Sequence, residues 1–247
     1  MNIGLYQSAA SLSALERWQD AVAQNITSSQ VPGYRKRTVE FSSQSLGQWQ
    51  PGSGSNSGDN AVPAVFPKAS NGISFLMGET QPTGRDFDLA IQGPGFFEIQ
   101  APDGSHTFTR SGEFSVRADN TLVNNGGGEV LSDSGSPITL SAQGGKVTIK
   151  SDGTIVQGQT VVGKVGVQSF ANSANLTPVG GGSFVDNGAG AQPVDKPQIL
   201  QGYVEASNVT PMREMVDLVL ITRSYEANQK IIKTADENAQ KELDALG

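Results

Sequence analysis

Leu5, Ser8, Leu12, Leu15, Gln19, Val22 and Ile26 follow one another at steps of three and four residues, which places them on one narrow stripe of an α-helix. The stripe predicts a helix of roughly 24 residues, about 36 Å long. It should stop before Pro32-Gly33, because the residue ahead of a proline is pushed out of the helical region and glycine accepts the turn. The far end of the chain carries a second stripe, in which Met215, Leu218, Thr222, Tyr225, Gln229, Ile232, Asp236, Ala239, Leu243 and Leu246 hold a heptad register. Pro211 suits the first turn of this helix, Thr210 its N-cap, and Glu214 and Asp217 complement the positive end of the helix dipole. Two stripes at the two extremities, each with small or polar residues at several seam positions, predict that the helices pair with each other. A coiled-coil stalk or a helical hairpin closing a domain would carry the same stripes.

Between the helices the pattern changes. Residues 42–72 are rich in Ser, Gly, Asn, Gln and Pro, a composition that buries too little apolar area to fold alone and predicts a linker or irregular arm. Beyond it the period becomes 2. Phe97-Glu98-Ile99-Gln100 and His106-Thr107-Phe108-Thr109 flank Asp103-Gly104 as a hairpin would. Phe114–Arg117 with Leu122-Val123 around Asp119-Asn120, and Val147–Lys150 with Ile155-Val156 around Asp152-Gly153, repeat the cadence. Three hairpins predict an antiparallel sandwich or barrel. The glycine-rich run from Gly180 to Gly190 reads as a surface loop, since it fits no phosphate-binding fingerprint.

The 247 residues suffice for one sizeable core or two modest domains. Thirty Gly and only 17% charged residues agree with many turns and short strands. A net charge of -7, with no basic cluster beyond Arg35-Lys36-Arg37, argues against nucleic acid as a partner. Cysteine is absent, which removes disulfides, thiolate catalysis and Cys-zinc sites. The N-terminus has neither a basic n-region nor an apolar h-region, so no cleaved signal peptide is expected. The longest strongly apolar stretch, Val216 to Ile221, contains Asp217 and falls far short of the ~20 residues a membrane span needs, so no membrane insertion is expected.

Chemistry-bearing patterns are sparse. His106 is the one histidine and reads as a surface strand residue rather than a ligand or base. Asp86 and Asp88 form a close acidic pair in Arg85-Asp86-Phe87-Asp88, a pattern that serves general acid and base in some hydrolases, but a turn leading into a strand is the simpler reading. No serine sits in Gly-x-Ser-x-Gly. The expectation is a protein without catalysis, cofactor, metal or small-molecule substrate.

Three ordered blocks carry a family resemblance. The central block is Asp88-Leu89-Ala90-Ile91-Gln92-Gly93-Pro94-Gly95-Phe96-Phe97, then Phe108-Thr109-Arg110-Ser111-Gly112-Glu113-Phe114, then Leu122-Val123 and Val130-Leu131. Gly93 and Gly95 permit a tight bend, Phe96 and Phe97 supply core mass, and Gly112 allows a turn after Thr109-Arg110. The C-terminal block runs Gly202-Tyr203-Val204-Glu205-Ala206-Ser207-Asn208-Val209, then Glu214-Met215-Val216 and Arg223-Ser224-Tyr225-Glu226-Ala227-Asn228-Gln229-Lys230. The N-terminal block, Gln24-Asn25-Ile26-Thr27-Ser28-Ser29-Gln30-Val31-Pro32-Gly33-Tyr34-Arg35, is similar to the family pattern Asn-Asn-Leu-Ala-Asn…Thr-x-Gly-Tyr, keeping Asn25, Gly33 and Tyr34. Together the blocks resemble the flagellar basal-body rod and hook protein family, leaving roughly 41–72 and 142–198 unmatched.

The resemblance implies an α+β fold. A discontinuous coiled-coil layer of terminal helices (1–35 with 205–247) would line a channel, 36–72 would be the linker, and a central, mainly antiparallel β domain (73–204) would lie outside. It implies a structural axial protein that assembles with copies of itself and neighbouring rod proteins, is exported by the flagellar type III apparatus, and resides in the rod spanning the periplasm. Interface residues would be Leu5, Leu12, Leu15, Val22, Ile26, Met215, Leu218, Thr222, Tyr225 and Ile232. A short chain with one β domain fits a rod protein better than the larger hook protein, and the proximal rod before the distal. The rival reading is a β-domain binding module dimerised by its terminal helices, against which the expectation stands that the aromatic residues, Trp18 and Trp49 among them, do not cluster in a β segment.

Overall fold

The structure is a computed structural model that describes residues 3–49 and 62–244. Two long helices stand at the ends, α1 (Ile3–Thr27) and α2 (Pro211–Asp244). α1 stops ahead of Pro32 as its sequence dictates. α2 starts on Pro211, with the amides of Arg213 and Glu214 donating to the Thr210 carbonyl at 3.0 and 3.2 Å. The chain divides into two units, one of Met1–Ile26, Arg37–Ile73 and Thr210–Gly247, the other of Thr27–Lys36 and Ser74–Val209.

The first unit adds to the helices a long antiparallel hairpin, β1 (Arg37–Trp49) and β2 (Val62–Ile73), in register from Arg37 opposite Ile73 to Trp49 opposite Val62. This overturns the irregular arm expected for the described part of 36–72; residues 50–61 lie outside the described residues. Composition speaks only for apolar burial, whereas these strands satisfy each other's backbone groups and lean on α1. Arg17 donates to the Ala69 carbonyl at 3.1 Å, Gln7 to that of Val65 at 3.0 Å, and the Trp18 and Phe41 rings meet edge to face at 5.6 Å.

Leu15 and Val22 of α1 and Ile221 of α2 form a small buried cluster, flanked by Trp18, Ile26, Leu218 and Tyr225. The stripe that faces inward differs in phase from the one read from the heptads. Glu214 and Ile221 are buried where Met215 and Thr222 were expected, and Trp18 turns inward rather than the exposed Gln19. Two heptad phases share Leu218, Tyr225 and Ile232. Apolarity favoured Met215 in the sequence, but Glu214 has a buried partner that makes its burial possible.

The second unit is antiparallel β. Its strands are β3 (Thr80–Pro82), β4 (Leu89–Gln92), β5 (Phe96–Gln100), β6 (His106–Thr109), β7 (Phe114–Val116), β8 (Leu122–Asn124), β9 (Glu129–Val130), β10 (Val147–Ile149), β11 (Thr154–Gln157), β12 (Thr160–Lys164), β13 (Val167–Phe170), β14 (Leu176–Gly180), β15 (Ser183–Asp186), β16 (Ala191–Pro193), β17 (Gln198–Gln201) and β18 (Tyr203–Glu205). The largest sheet runs β14-β15-β6-β5-β9-β8-β7, with β13 joining β5 to β16; β10-β11-β12, β17-β4 and β18-β3 form smaller ones. All three predicted hairpins are present. Their core gathers Leu89, Phe97, Ile99, Phe114, Leu122, Val130, Ile155 and Val165. Gly180–Gly182 is a correction: it turns β14 into β15, whose Phe184 is buried against the β6 side, because a four-residue strand between glycines leaves little periodic signal.

Candidate functional site

Two asparagines of the family blocks each tie three chain segments together, one in each unit. In the first unit, Asn25 is fully buried near the C-terminal end of α1. Its Nδ2 donates to the Arg37 carbonyl at 2.8 Å and to Glu214 Oε2 at 2.9 Å, while its Oδ1 accepts from the Arg37 amide at 2.8 Å. One amide side chain thereby joins α1, the first residue of β1 and the first turn of α2. Its donor and acceptor together match a backbone N–H and C=O pair, which a carboxylate cannot do.

In the second unit, Asn208 does the same for three stretches that lead to or from the other unit. Its Oδ1 accepts from the Lys36 amide at 2.6 Å, and its Nδ2 donates to the carbonyls of Ser74 and Leu76 at 2.9 and 2.8 Å. Backbone bonds reinforce it: Ser74 donates to Lys36 at 2.8 Å, Gly33 to Glu205 at 2.7 Å, and Ala206 to Glu79 at 2.8 Å. Residues 33–36, 74–79 and 205–208 are thus laced side by side. Gly33 (φ +71°) lies against the backbone of Arg110 and Ser111, and an added Cβ would collide with both. Gly78 meets the Ala206 carbonyl in the same way.

Beneath this lacing lies a buried ionic cluster. Glu205 Oε1 accepts from Arg35 Nη1 at 2.7 Å and from the Gly78 amide at 2.8 Å, and its Oε2 accepts from Arg110 Nη1 at 3.1 Å. Arg35 also donates to the Leu76 carbonyl, and Arg110 to the carbonyls of Ile91 and Gly93. All three side chains are at most 4% exposed. Two guanidiniums face one carboxylate, and among the described residues the Nε of each Arg has no hydrogen-bond partner. Burial lowers the pKa of Arg110 to about 10, against the opposing pull of Glu205 and with a further push from the Arg35 charge. The Arg110 guanidinium also stands 5.4 Å over the Phe96 ring.

Residues 90–157 match the family described as flagellar hook protein FlgE/F/G D1 domain, and residues 200–245 match the flagellar basal body rod FlgEFG protein C-terminal family. Flagellar basal-body rod protein FlgF of Caulobacter vibrioides is 32% identical over 100% of this chain and 99% of its own length. The chain belongs to the flagellar basal-body rod protein family. FlgF of Mesorhizobium japonicum is 30% identical over 100% of this chain and 99% of its own, and FlgG of Agrobacterium fabrum 31% over 94% and 95%. The rod family is structural rather than enzymatic, its place is the flagellar basal body, and membership implies assembly with copies of itself and other rod components.

The other rod-family residues divide by role. Phe97 sits in the core, edge to face with Phe114 at 5.1 Å, and Phe96 joins Phe75, Phe170 and Phe184 in an aromatic cluster. Gly95 (φ +133°) and Gly93 (φ +97°) shape the bend before β5. Gly112 differs from its expected role: its φ is not positive, and it is small because the Leu89 carbonyl lies where a Cβ would be. Thr109 donates to the Gly182 carbonyl at 3.0 Å and accepts from the Ser111 amide. Asp88 is fully buried on Arg85 at 2.8 Å, Tyr34 is buried, and Ser207 Oγ accepts from the Val209 amide. Asn228 donates to the Ser224 carbonyl within α2, whereas Arg223 and Glu226 are exposed.

Of the expected interface residues, Leu15, Val22, Ile26, Leu218 and Tyr225 are brought together between the helices, with Leu12 and Ile232 half-buried. Leu5 lies on α1. Met215 and Thr222 point outward, and with Met212, Val216, Val219 and Leu220, each about half exposed or more, Met215 makes an apolar face along the first half of α2. Sequence reasoning missed Arg35, Glu205 and Glu214 as site residues. The available signal was a charged residue standing inside each motif block beside residues of known packing type.

Proposed function

We propose that this chain is an axial subunit of the basal-body rod which self-assembles through its terminal helices into a helical tube. The tube transmits torque and encloses the export channel. The observation that carries the reading is the apolar face of α2, from Met212 (75% exposed) through Met215 to Leu220 (48%), exposed on a chain that aligns with 99% of a rod protein's length. Apolar area of this extent costs free energy in water and is relieved by a neighbour. Repeating one such heterologous contact builds a tube.

On this reading the helices pair as a coiled-coil layer, the β unit closes as a sandwich or barrel, and α2 presents Met215 and Thr222 to the next subunit. The assignment expected from the sequence, 1–35 with 205–247 for assembly and 73–204 as the β domain, is kept in outline, with 27–36 and 205–209 counted with the β unit and 37–73 with the helices. The secreted monomer keeps its helices largely unfolded until a neighbour covers them, since long amphipathic helices gain most of their stability from packing. Export through the type III apparatus, a rod spanning the periplasm, and the proximal rod before the distal complete the proposal; chain length and the single β domain favour a rod protein over the larger hook protein.

Replacing Val219 by Asp tests the interface. The variant should keep wild-type β-sheet circular dichroism and remain monomeric in sedimentation under conditions where the wild type elongates. Elongation at the wild-type rate would remove α2 from the contact.

A further inference from the structure

We infer that Glu205 and Asn208 form a conformational latch: seating residues 205–208 orders 33–36 and 74–79 together, so that these three stretches open and close as one while the sheets stay folded. The inference goes beyond the assembly reading and is tested on the monomer, so either can fail alone.

The charge balance dictates the cooperativity. Arg35 and Arg110 come from distant parts of the chain and are both buried, and Glu205 is the carboxylate between them. Without Glu205 in place, closing this region would bring two like charges out of water with carbonyl acceptors but no counter-charge, which is costlier than leaving them solvated. A half-closed state with the arginines buried and 205–208 detached is therefore disfavoured.

The bond pattern points the same way. Asn208 reaches back 172 residues to Lys36 and 134 to Ser74, and Glu205 reaches 95 to Arg110. Because Ser74 and Lys36 also bond each other, releasing Asn208 loosens both stretches at once. β3 pairs with β18, which ends on Glu205, so the latch extends into residues 80–82. By contrast, β5 and β6 draw their register from each other and from β13, β9 and β15. They have no need of the latch.

Amide hydrogen exchange on full-length Glu205→Gln decides the matter. Exchange at 33–36 and 74–79 should quicken by about tenfold to a hundredfold, the range expected for losing charge-assisted bonds, while 96–109 stays at wild-type rates. Unchanged exchange at 33–36 and 74–79, or acceleration that runs equally through 96–109, overturns the latch. Should Glu205→Gln not fold, Asn208→Ala takes its place, since it removes no charge. Both stretches accelerating together supports the latch, and acceleration restricted to one of them, or uniform through the unit, refutes it.

Discussion

Gly112 shows how a single residue is constrained by what approaches it. The Leu89 carbonyl occupies the position of its missing Cβ, and the Leu89 amide donates to the Gly112 carbonyl at 3.0 Å, so the two backbones are locked face to face. Gly112→Ala should therefore destabilise the β unit by about 1–3 kcal/mol or more in denaturant unfolding, the cost of overpacking against a backbone that cannot yield. Gly93 has open space around it and a φ of +97°, so Gly93→Ala should cost only the strain of that backbone conformation, about 1–2 kcal/mol. Equal losses would show that close approach is not what Gly112 serves. At the same scale, Asp103, Asp119 and Asp152 cap the three hairpin turns. The Ser105 hydroxyl lowers the pKa of Asp103, the Arg117 guanidinium that of Asp119, and the Thr154 amide that of Asp152. A carboxylate with a depressed folded pKa stabilises the fold above its unfolded value, near 4. That contribution fades as pH falls through the folded value. Thermal stability should drop on acidification below about pH 4, and the triple Asp→Asn variant should lose that part of the slope. An identical slope would mean the turns do not titrate with folding.

Among the elements, the helices were legible from spacing, and their limits from Pro32-Gly33 at the end of α1 and Pro211 at the start of α2. What spacing left open was the phase of α2. Leu218 and Tyr225 serve either phase, and the choice fell to Glu214, whose burial rests on Asn25, a contact 189 residues away that no local pattern encodes. Asn25→Ala removes one hydrogen-bond partner from the Arg37 backbone pair and from the Glu214 carboxylate, and should cost about 2–4 kcal/mol in the stability of the assembled helical layer, read by urea dissociation of the assembled form. Asn25→Asp should be no better, since it cannot donate to the Arg37 carbonyl. A silent Asn25→Ala would remove the residue as the tie between α1, β1 and α2. The β1-β2 hairpin was hidden for a different reason. β1 carries the polar run Ser42-Ser43-Gln44-Ser45 and β2 carries Pro63 and Pro67, residues whose strand formation depends on a partner strand and on α1 rather than on a local strand signal.

For the whole molecule, the three hairpins and the family blocks were readable because turn chemistry and residue order are local. The buried Arg35–Glu205–Arg110 cluster was not, because its members stand in three separate blocks and only the fold brings them together. The central claim is that the helical ends complete their structure by assembling. Its most direct test is amide hydrogen exchange on the purified monomer against the assembled form. Residues 3–27 and 211–244 should exchange freely in the monomer and become protected on polymerisation, while 96–109 is protected in both. Helical ends already protected in a small closed oligomer that never elongates would contradict the account.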